Sequence, residues 1–158
     1  MLCVYAGLVV VGTGTASQFA ATHALMINAS PSLPHWAIWV TRGNLPKKGD
    51  LVVFMPPRSD LVEAHFGKSP PPFAKRVMGI AGDVVTEQHL VFAINGTPVV
   101  RAKARSHAGE SLLLGPTGRI PAGCYFAASP HRDGFDSRYA AIGWVCANQI
   151  VGVGRPIL

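Results

Sequence analysis

From residue 37 onward, short runs of β-branched and aromatic residues alternate with turns of glycine, proline and asparagine. The 158 residues include 17 glycines and 13 prolines, a density that favours many short strands and turns over a helical bundle. At this length the chain suits one domain that buries about two thirds of its unfolded surface. The pattern therefore predicts a single, mostly β domain over residues 28–158.

Local signals within this domain predict its elements. Ser59 precedes carboxylates and apolar residues, which predicts a short helix over residues 59–66. Asn95-Gly96 separates two apolar runs and predicts a hairpin turn. Residues 105–120 are rich in glycine, serine and polar groups, so we expect a loop there. Strands are predicted over residues 37–41, 51–54, 73–81, 83–86, 91–94, 98–100, 124–128 and 144–153.

Residues 1–27 contain no Lys, Arg, Asp or Glu and begin with an apolar run. A helix that spans a bilayer needs about 20 predominantly apolar residues, so this segment is long enough to be a membrane anchor. Such an anchor would leave residues 28–158 outside the cytoplasm. The segment lacks the basic residues that begin a secretory signal, and a buried N-terminal helix is the other interpretation. We expect the anchor.

The net charge of +6 favours acidic partners such as lipid headgroups or nucleic acid. The local basic cluster of the sequence consists of Arg101, Lys103 and Arg105, and no aromatic residue lies between its members. Nucleic-acid surfaces usually combine basic and aromatic side chains or a recognisable motif. We therefore expect a membrane partner and no nucleic acid.

The three cysteines form no Cys-x-x-Cys motif, so the sequence predicts no zinc site, and nothing in it predicts another metal or an organic cofactor. Cys124 and Cys146 lie in two predicted strands that flank residues 129–143. Antiparallel pairing of those strands would allow a disulfide in an oxidising compartment. Two free buried thiols are equally compatible with the sequence.

Ser32 and Lys75 have the features that a serine–lysine pair requires. Prolines stand one residue before and two residues after Ser32 and hold its hydroxyl on a rigid, non-helical segment. Strand alternation places Lys75 on one face with Phe73 and Val77, among apolar neighbours. Desolvation there would lower the lysine pKa from about 10.4, and a neutral amine can activate a serine nucleophile.

Six motifs around these two residues occur in a characteristic order. They are Ser-Leu-Pro at 32–34, Gly-Asp-Leu-Val-Val-Phe at 49–54, Lys-Arg-Val-Met-Gly-Ile-Ala-Gly-Asp at 75–83, Pro-Ala-Gly-Cys-Tyr-Phe at 121–126, Asp-Ser-Arg-Tyr at 136–139 and Ile-Val-Gly at 150–152. The order resembles that of the signal peptidase I family over residues 26–156. The short chain and the style of its first and fifth motifs most closely resemble the TraF-type conjugative-transfer branch.

The resemblance implies a fold and a set of roles. The fold would be a signal-peptidase-like catalytic domain with a β-sheet or barrel-like architecture, behind an N-terminal apolar anchor helix. Ser32 would be the nucleophile and Lys75 the general base, with the oxyanion held by the Ser32 N–H and the Ser30 hydroxyl. Asp136 and Arg138 match an ion pair that supports the site.

One stretch departs from the family pattern. Signal peptidases usually carry a Gly-Asp-Asn-Arg motif and a serine that hydrogen-bonds the lysine, both ahead of the Asp-Ser-Arg-Tyr segment. Here residues 128–134 read Ala-Ser-Pro-His-Arg-Asp-Gly, so Gly134 stands where that serine is expected. Another hydroxyl or a water would then have to orient Lys75.

By this resemblance the protein is a serine endopeptidase of the inner membrane, with its catalytic domain on the periplasmic side. Its substrate would be the precursor of a secreted protein or a conjugative pilin, with small residues before the cut. In the TraF branch the pilin's own amino group can capture the acyl-enzyme and give a cyclic product. The residues do not distinguish cyclisation from hydrolysis.

Two rival functions share this pattern in part. A self-cleaving repressor-type peptidase uses the same dyad, but the apolar leader and the lack of a DNA-binding helical domain in the sequence argue against it. A catalytically silent scaffold of a mating or secretion apparatus would explain the missing Gly-Asp-Asn-Arg motif. It would not explain the presence of Ser30, Ser32 and Lys75 together.

Overall fold

The computed structural model of the protein describes residues 21–27, 33–34 and 36–157. Its elements are short strands for the most part, as the spacing of the turns predicts. They are β1 His23–Ile27, β2 Ala37–Arg42, β3 Leu51–Phe54, α1 Asp60–Phe66, β4 Phe73–Gly79, β5 Val84–Gln88, β6 Val91–Ile94, β7 Thr97–Arg101, β8 Gly118–Arg119, β9 Cys124–Ala128, β10 Val145–Cys146, a 3-10 turn Ala147–Gln149 and β11 Ile150–Pro156.

Within the described residues these strands form two antiparallel sheets. The larger sheet has seven strands in the order β1-β2-β11-β3-β4-β9-β10, and the smaller has four in the order β7-β6-β5-β8. The prediction of a mostly β fold is therefore confirmed. β4 lies inside the larger sheet between β3 and β9, so both of its edges are hydrogen-bonded.

Several local predictions are confirmed. The predicted strand over residues 51–54 is β3 with the same bounds. The Ser59 hydroxyl caps α1 by accepting a hydrogen bond from the Val62 N–H at 3.2 Å. Asn95 and Gly96 both have positive φ, 49° and 81°, as a tight turn between β6 and β7 requires.

Two predictions in the C-terminal half need correction. The strand predicted over residues 144–153 is broken into β10, a 3-10 turn and β11. The break occurs because β10 pairs with β9 at one end of the sheet, whereas β11 pairs between β2 and β3. The predicted loop at 105–120 contains the short strand β8, which extends the smaller sheet beside β5.

The last residues of the predicted anchor form a strand. His23–Ile27, the last part of the predicted anchor 1–27, forms β1 and pairs along its whole length with β2. Residues 1–20 of the predicted anchor lie outside the described part of the chain. Among the described residues, none belongs to a helix with the length and hydropathy needed to cross a membrane.

β4 separates two of the buried clusters. On one face, Phe73 and Val77 pack in a cluster with Val52. On the other face, Ala74 packs in a cluster that includes Leu33. Side chains on alternate faces of β4 thus meet two different apolar clusters, and Arg76 is the exposed residue of the strand.

Candidate active site

Lys75 lies within β4, and 5% of its surface is exposed. Phe73 and Val77, two positions away on either side, are buried on the same face. Arg76 is exposed on the other face, where its Nη1 donates to the Gly49 carbonyl oxygen at 2.8 Å. The predicted alternation is observed, and it places the Lys75 side chain on the same face as two buried apolar residues.

This environment changes the acidity of Lys75. Burial lowers the pKa of the Lys75 amine from its ordinary value of 10.5, and it is the largest effect on this group. The carboxylate of Asp136 acts in the opposite direction and raises the pKa, whereas the charge of Arg138 lowers it. Among the described residues the amine has no hydrogen-bond partner. The arrangement favours a neutral amine that can accept a proton.

Asp136 and Arg138 form the ion pair that the sequence motif predicts. Their side chains are 0% and 1% exposed, and Arg138 Nε donates to Asp136 Oδ1 at 2.8 Å. Arg138 Nη2 donates to Asp136 Oδ2 at 3.0 Å, which makes the contact bidentate. Two parallel, charge-assisted bonds fix the orientation of both groups.

The remaining donors of Arg138 bind three backbone carbonyls in two segments. Nη1 donates to the Arg101 oxygen at 2.9 Å and to the His131 oxygen at 3.3 Å. Nη2 also donates to the Ser129 oxygen. A single guanidinium therefore connects the end of β7, the segment after β9 and its own loop beside Lys75.

Ser129 is a residue that the sequence analysis passed over. It follows β9, it is 0% exposed, and its N–H donates to Asp136 Oδ2 at 2.9 Å. Its Oγ donates to the same carboxylate oxygen at 3.4 Å. A side chain at position 134 would place its Cβ 2.3 Å from Ser129 Oγ. The hydroxyl of Ser129 therefore lies in the space that a residue larger than Gly134 would need.

The predicted nucleophile Ser32 and the predicted oxyanion donor Ser30 lie outside the described residues. Leu33, which follows Ser32 in the chain, is described and is 5% exposed. It packs in the same buried cluster as Ala74, the residue before Lys75. The end of the Ser-Leu-Pro motif is thus anchored beside β4.

The structure settles the question of the two strand cysteines. Cys124 and Cys146 are partners in the β9–β10 register, and their sulfurs form a disulfide. The disulfide closes the loop that carries Asp136 and Arg138. Its presence is compatible with an oxidising compartment.

A cavity of about 410 Å³ lies between α1, the segment 103–112 and the segment 133–139. Phe66 in its wall contacts Phe73 of β4, with ring centroids 4.8 Å apart, and stacks on Phe135 at 6.0 Å. Lys103 and Asp133 form an ion pair at its rim. Phe66 therefore lies between the cavity and the strand that carries Lys75. Within the described residues no group of three His, Cys, Asp or Glu side chains is placed to hold a metal ion.

Comparison with known proteins agrees with the family resemblance of the sequence motifs. The family model described as "Signal peptidase, peptidase S26" matches residues 1–158. A signal peptidase I of Bacillus caldolyticus is 32% identical over an alignment of 107 residues, and the match covers 60% of this chain and 57% of that relative. The chain is thus matched to little more than half of the relative's length.

Among solved structures, the crystal structure of a signal peptidase I from Enterococcus faecalis V583 is similar, with 22% identity and a TM-score of 0.42. The similarity covers 70% of this chain and 97% of that one.

Proposed function

Since the chain belongs to the signal peptidase family, peptidase S26, we propose that it is a serine endopeptidase with Ser32 as nucleophile and Lys75 as general base. The observation that carries this proposal is the environment of Lys75. A lysine that is 5% exposed, whose pKa is lowered chiefly by burial, has the property that a base requires. An ordinary strand lysine would extend its amine to water.

In the proposed reaction, Ser32 Oγ attacks the scissile carbonyl carbon while its proton passes to the neutral Lys75 amine. The C–N bond then breaks, and Lys75 returns the proton to the leaving amine. A water attacks the resulting ester and gives a proton to Lys75. The ester C–O bond then breaks, Lys75 returns that proton to Ser32 Oγ, and the acid product leaves. The Ser32 N–H and the Ser30 hydroxyl hold the negative oxygen, and removing one such donor costs about 3–4 kcal/mol of transition-state stabilisation.

Asp136 and Arg138 act without touching the substrate. Their bidentate pair fixes the loop beside β4, and their opposite charges act on Lys75 in opposite directions. Because the two charges partly cancel, burial remains the dominant influence on the lysine. The pair therefore supports a neutral base.

The proposed substrates are precursors of secreted proteins with small residues, chiefly alanine, before the cut. The resemblance of the motifs at 32–34 and 135–139 to the TraF-type branch favours a conjugative pilin precursor within that class. Capture of the acyl-enzyme by the pilin's own amino group would give a cyclic product, and capture by water a linear one.

We place the protein at the inner membrane, held by the segment before β1, with the catalytic domain on the periplasmic side. Two features support this assignment. The charge-free N-terminal run is long enough to span a bilayer. The Cys124–Cys146 disulfide is of a kind that persists in oxidising compartments and is rare in the cytosol.

The proposal is tested by co-expressing a candidate pilin precursor with the wild-type protein, Ser32→Ala or Lys75→Ala and measuring product masses. We expect a shortened product from the wild type and intact precursor from both variants. A further loss of about 18 Da, the mass of water, relative to the linear product would show cyclisation. Lys47→Ala, which removes an exposed lysine, serves as the matched control and should process normally.

Two results would contradict the proposal. Processing that survives Ser32→Ala or Lys75→Ala would exclude the dyad. If the wild type also left a panel of precursors with Ala-x-Ala before the cut intact, the silent scaffold would become the better explanation.

A further inference from the structure

We propose that Ser129 is the positioning residue for Lys75: its hydroxyl accepts a hydrogen bond from the Lys75 amine and donates its own proton to Asp136. This inference rests on the proposed function, in which Lys75 is the base. It assigns to Ser129 the task that Gly134, which has no side chain, cannot perform.

The register between β4 and β9 places the two residues opposite each other. Val77 pairs with Ala127 and Arg76 pairs with Ala128 in the antiparallel ladder. Continued by one residue, the same register sets Lys75 opposite Ser129. Residues directly opposite in an antiparallel pair point to the same face of the sheet. Lys75 and Ser129 are also both buried, at 5% and 0% exposed.

The backbone hydrogen bonds of Ser129 show that Lys75 and Ser129 form a non-hydrogen-bonded cross-strand pair, the kind in which the two residues lie closer together. Its N–H donates to Asp136 and its carbonyl accepts from Arg138, so both groups are turned away from β4. Ala127, two residues earlier, likewise directs its N–H and carbonyl to Ser137. In such non-hydrogen-bonded pairs the Cα atoms are about 4.5 Å apart and the side chains approach each other closely.

Among the described residues, no donor occupies the acceptor site of the Ser129 hydroxyl. Its proton is directed to Asp136 Oδ2 at 3.4 Å, longer than the usual 2.7–2.8 Å for such a bond, and no described residue donates to its oxygen. Lys75 in turn has amine hydrogens and no described partner. Catalytic hydrogen bonds are often long in the free enzyme and tighten when substrate is bound.

The donor-to-acceptor direction of these two hydrogen bonds, from Lys75 to Ser129 and from Ser129 to Asp136, suits a general base. A neutral amine that donates one N–H to Ser129 Oγ keeps its lone pair for the proton of the nucleophile. Once that proton has arrived, the bond from the ammonium to Ser129 becomes charge-assisted, and Ser129 in turn donates to Asp136. The hydroxyl thus both orients the amine and stabilises its protonated form.

The absence of a side chain at position 134 makes this geometry possible. A Cβ there would lie 2.3 Å from Ser129 Oγ and 2.8 Å from Asp136 Oδ2. Both distances are far below van der Waals contact. Gly134 therefore keeps open the space in which the Ser129 hydroxyl sits.

The primary test is an NMR titration of the lysine side chains in the full-length protein labelled at lysine Cε or Nζ. Because the Ser129 hydroxyl stabilises the ammonium, Ser129→Ala should lower the Lys75 pKa further, and Ser129→Cys should do so in the same direction. Ser129→Thr, which keeps a hydroxyl, should restore the wild-type titration. Ser137→Ala is the matched control, since Ser137 is equally buried but its Oγ accepts from the Ala127 N–H.

Cleavage kinetics give a second readout. Misplacement of a catalytic group by about 1 Å can cost a hundredfold in rate, so we expect Ser129→Ala to lower kcat by about tenfold to a hundredfold. The KM should stay within about twofold, because no substrate contact is removed. The pH at which kcat reaches half its maximum should fall together with the Lys75 pKa.

The outcomes separate this inference from the proposed function. An unchanged Lys75 titration in both Ser129→Ala and Ser129→Cys would overturn the role of Ser129, whether or not the protein cleaves precursors. An altered titration in these two variants, with Ser137→Ala unchanged, would establish the contact. Activity that survives Lys75→Ala would instead refute the proposed dyad and leave the titration as the measure of the contact.

Discussion

Two buried basic side chains of this molecule, which interact electrostatically, meet burial in opposite ways. Arg138 is 1% exposed and donates to both oxygens of Asp136 and to the carbonyls of Arg101, His131 and Ser129. Lys75 is 5% exposed and has no hydrogen-bond partner among the described residues. The difference follows from the chemistry of the two side chains.

A guanidinium cannot lose its proton in a protein, so burial requires that every N–H be bonded and the charge be paired. A lysine amine can meet the cost of burial by becoming neutral. Arg138 is therefore a fixed charge that organises the loop, whereas Lys75 is a group whose proton is free to leave. The predictions below alter Arg138 and its loop, then Lys75, and finally an exposed ion pair that serves for comparison.

The largest effect is expected for Arg138→Met. Removing the guanidinium leaves the Asp136 carboxylate buried without its partner and the three carbonyls without their donor. Breaking a buried pair in this way typically costs 3–5 kcal/mol, so we expect the free energy of unfolding to fall by about that amount. Urea unfolding followed by circular dichroism measures it.

The matched control for that experiment is Arg42→Met, which removes an exposed arginine at the end of β2. Its effect should stay within about 0.5 kcal/mol. An equally small effect for Arg138→Met would mean that Asp136 finds other partners. It would contradict the interpretation of Arg138 as the charge that organises the loop.

The next effect concerns the disulfide that closes the loop carrying Arg138. Cys124 and Cys146 are 22 residues apart, and a loop of this size corresponds to about 3 kcal/mol of stabilisation. We expect the double variant Cys124→Ser/Cys146→Ser to lose about that much, as measured by urea unfolding. If the loss were below about 1 kcal/mol, the hydrogen bonds of Arg138 alone would be sufficient to hold the loop.

Lys75→Met should have a smaller effect of the opposite sign. It replaces a destabilising amine with an apolar side chain of similar length, and such changes at functional sites commonly add about 1 kcal/mol of stability. Precursor cleavage should be lost at the same time. Lys68→Met, at an exposed lysine, is the control and should change neither property.

The pH dependence of that gain has a defined sign. The pKa of Lys75 is lowered in the folded state relative to 10.5, so between the two values the unfolded chain binds more protons. The stability of the wild type relative to Lys75→Met therefore rises with pH across this window. The gain from the substitution should be greatest at low pH and vanish toward pH 10.5. A gain that is independent of pH would show that packing, not the charge, is responsible.

Local residue patterns predicted Lys75 and the Asp136–Arg138 pair better than they predicted Ser129. The burial of Lys75 follows from alternation along β4, because Phe73 and Val77 flank it on the same face. The Asp136–Arg138 pair follows from a contiguous motif. Each of these depends on residues close together in the chain.

The features that were missed depend on contacts between distant segments. Ser129 is significant only through the register of β9 against β4, which no local pattern encodes. The break after β10 arises because the next strand belongs elsewhere in the sheet. The disulfide between Cys124 and Cys146 was one of two alternatives open from the sequence, and the β9–β10 register selects it.

The smallest effect is expected at an exposed counterpart of the Arg138 pair. Lys48 Nζ lies 3.0 Å from Asp83 Oδ2, and the two side chains are 50% and 16% exposed. Such pairs contribute about 0–1 kcal/mol in water, so Lys48→Met should cost no more than that. The neighbouring Lys47→Met, at an exposed lysine whose side chain has no bond to a described residue, is the control.

The pH dependence of the Lys48 pair also has a definite direction. Burial alone would raise the pKa of Asp83, but hydrogen bonds from the Ile80 N–H, Lys48 and Asn95 lower it below 3.8. A lowered carboxyl pKa gives stability that is present above 3.8 and is lost as the pH falls through the folded value. The difference between wild type and Lys48→Met should therefore persist at neutral pH and shrink in acid. A cost comparable to that of Arg138→Met would show that exposure does not separate the two kinds of ion pair in this protein, since solvent screening is what should make them unequal.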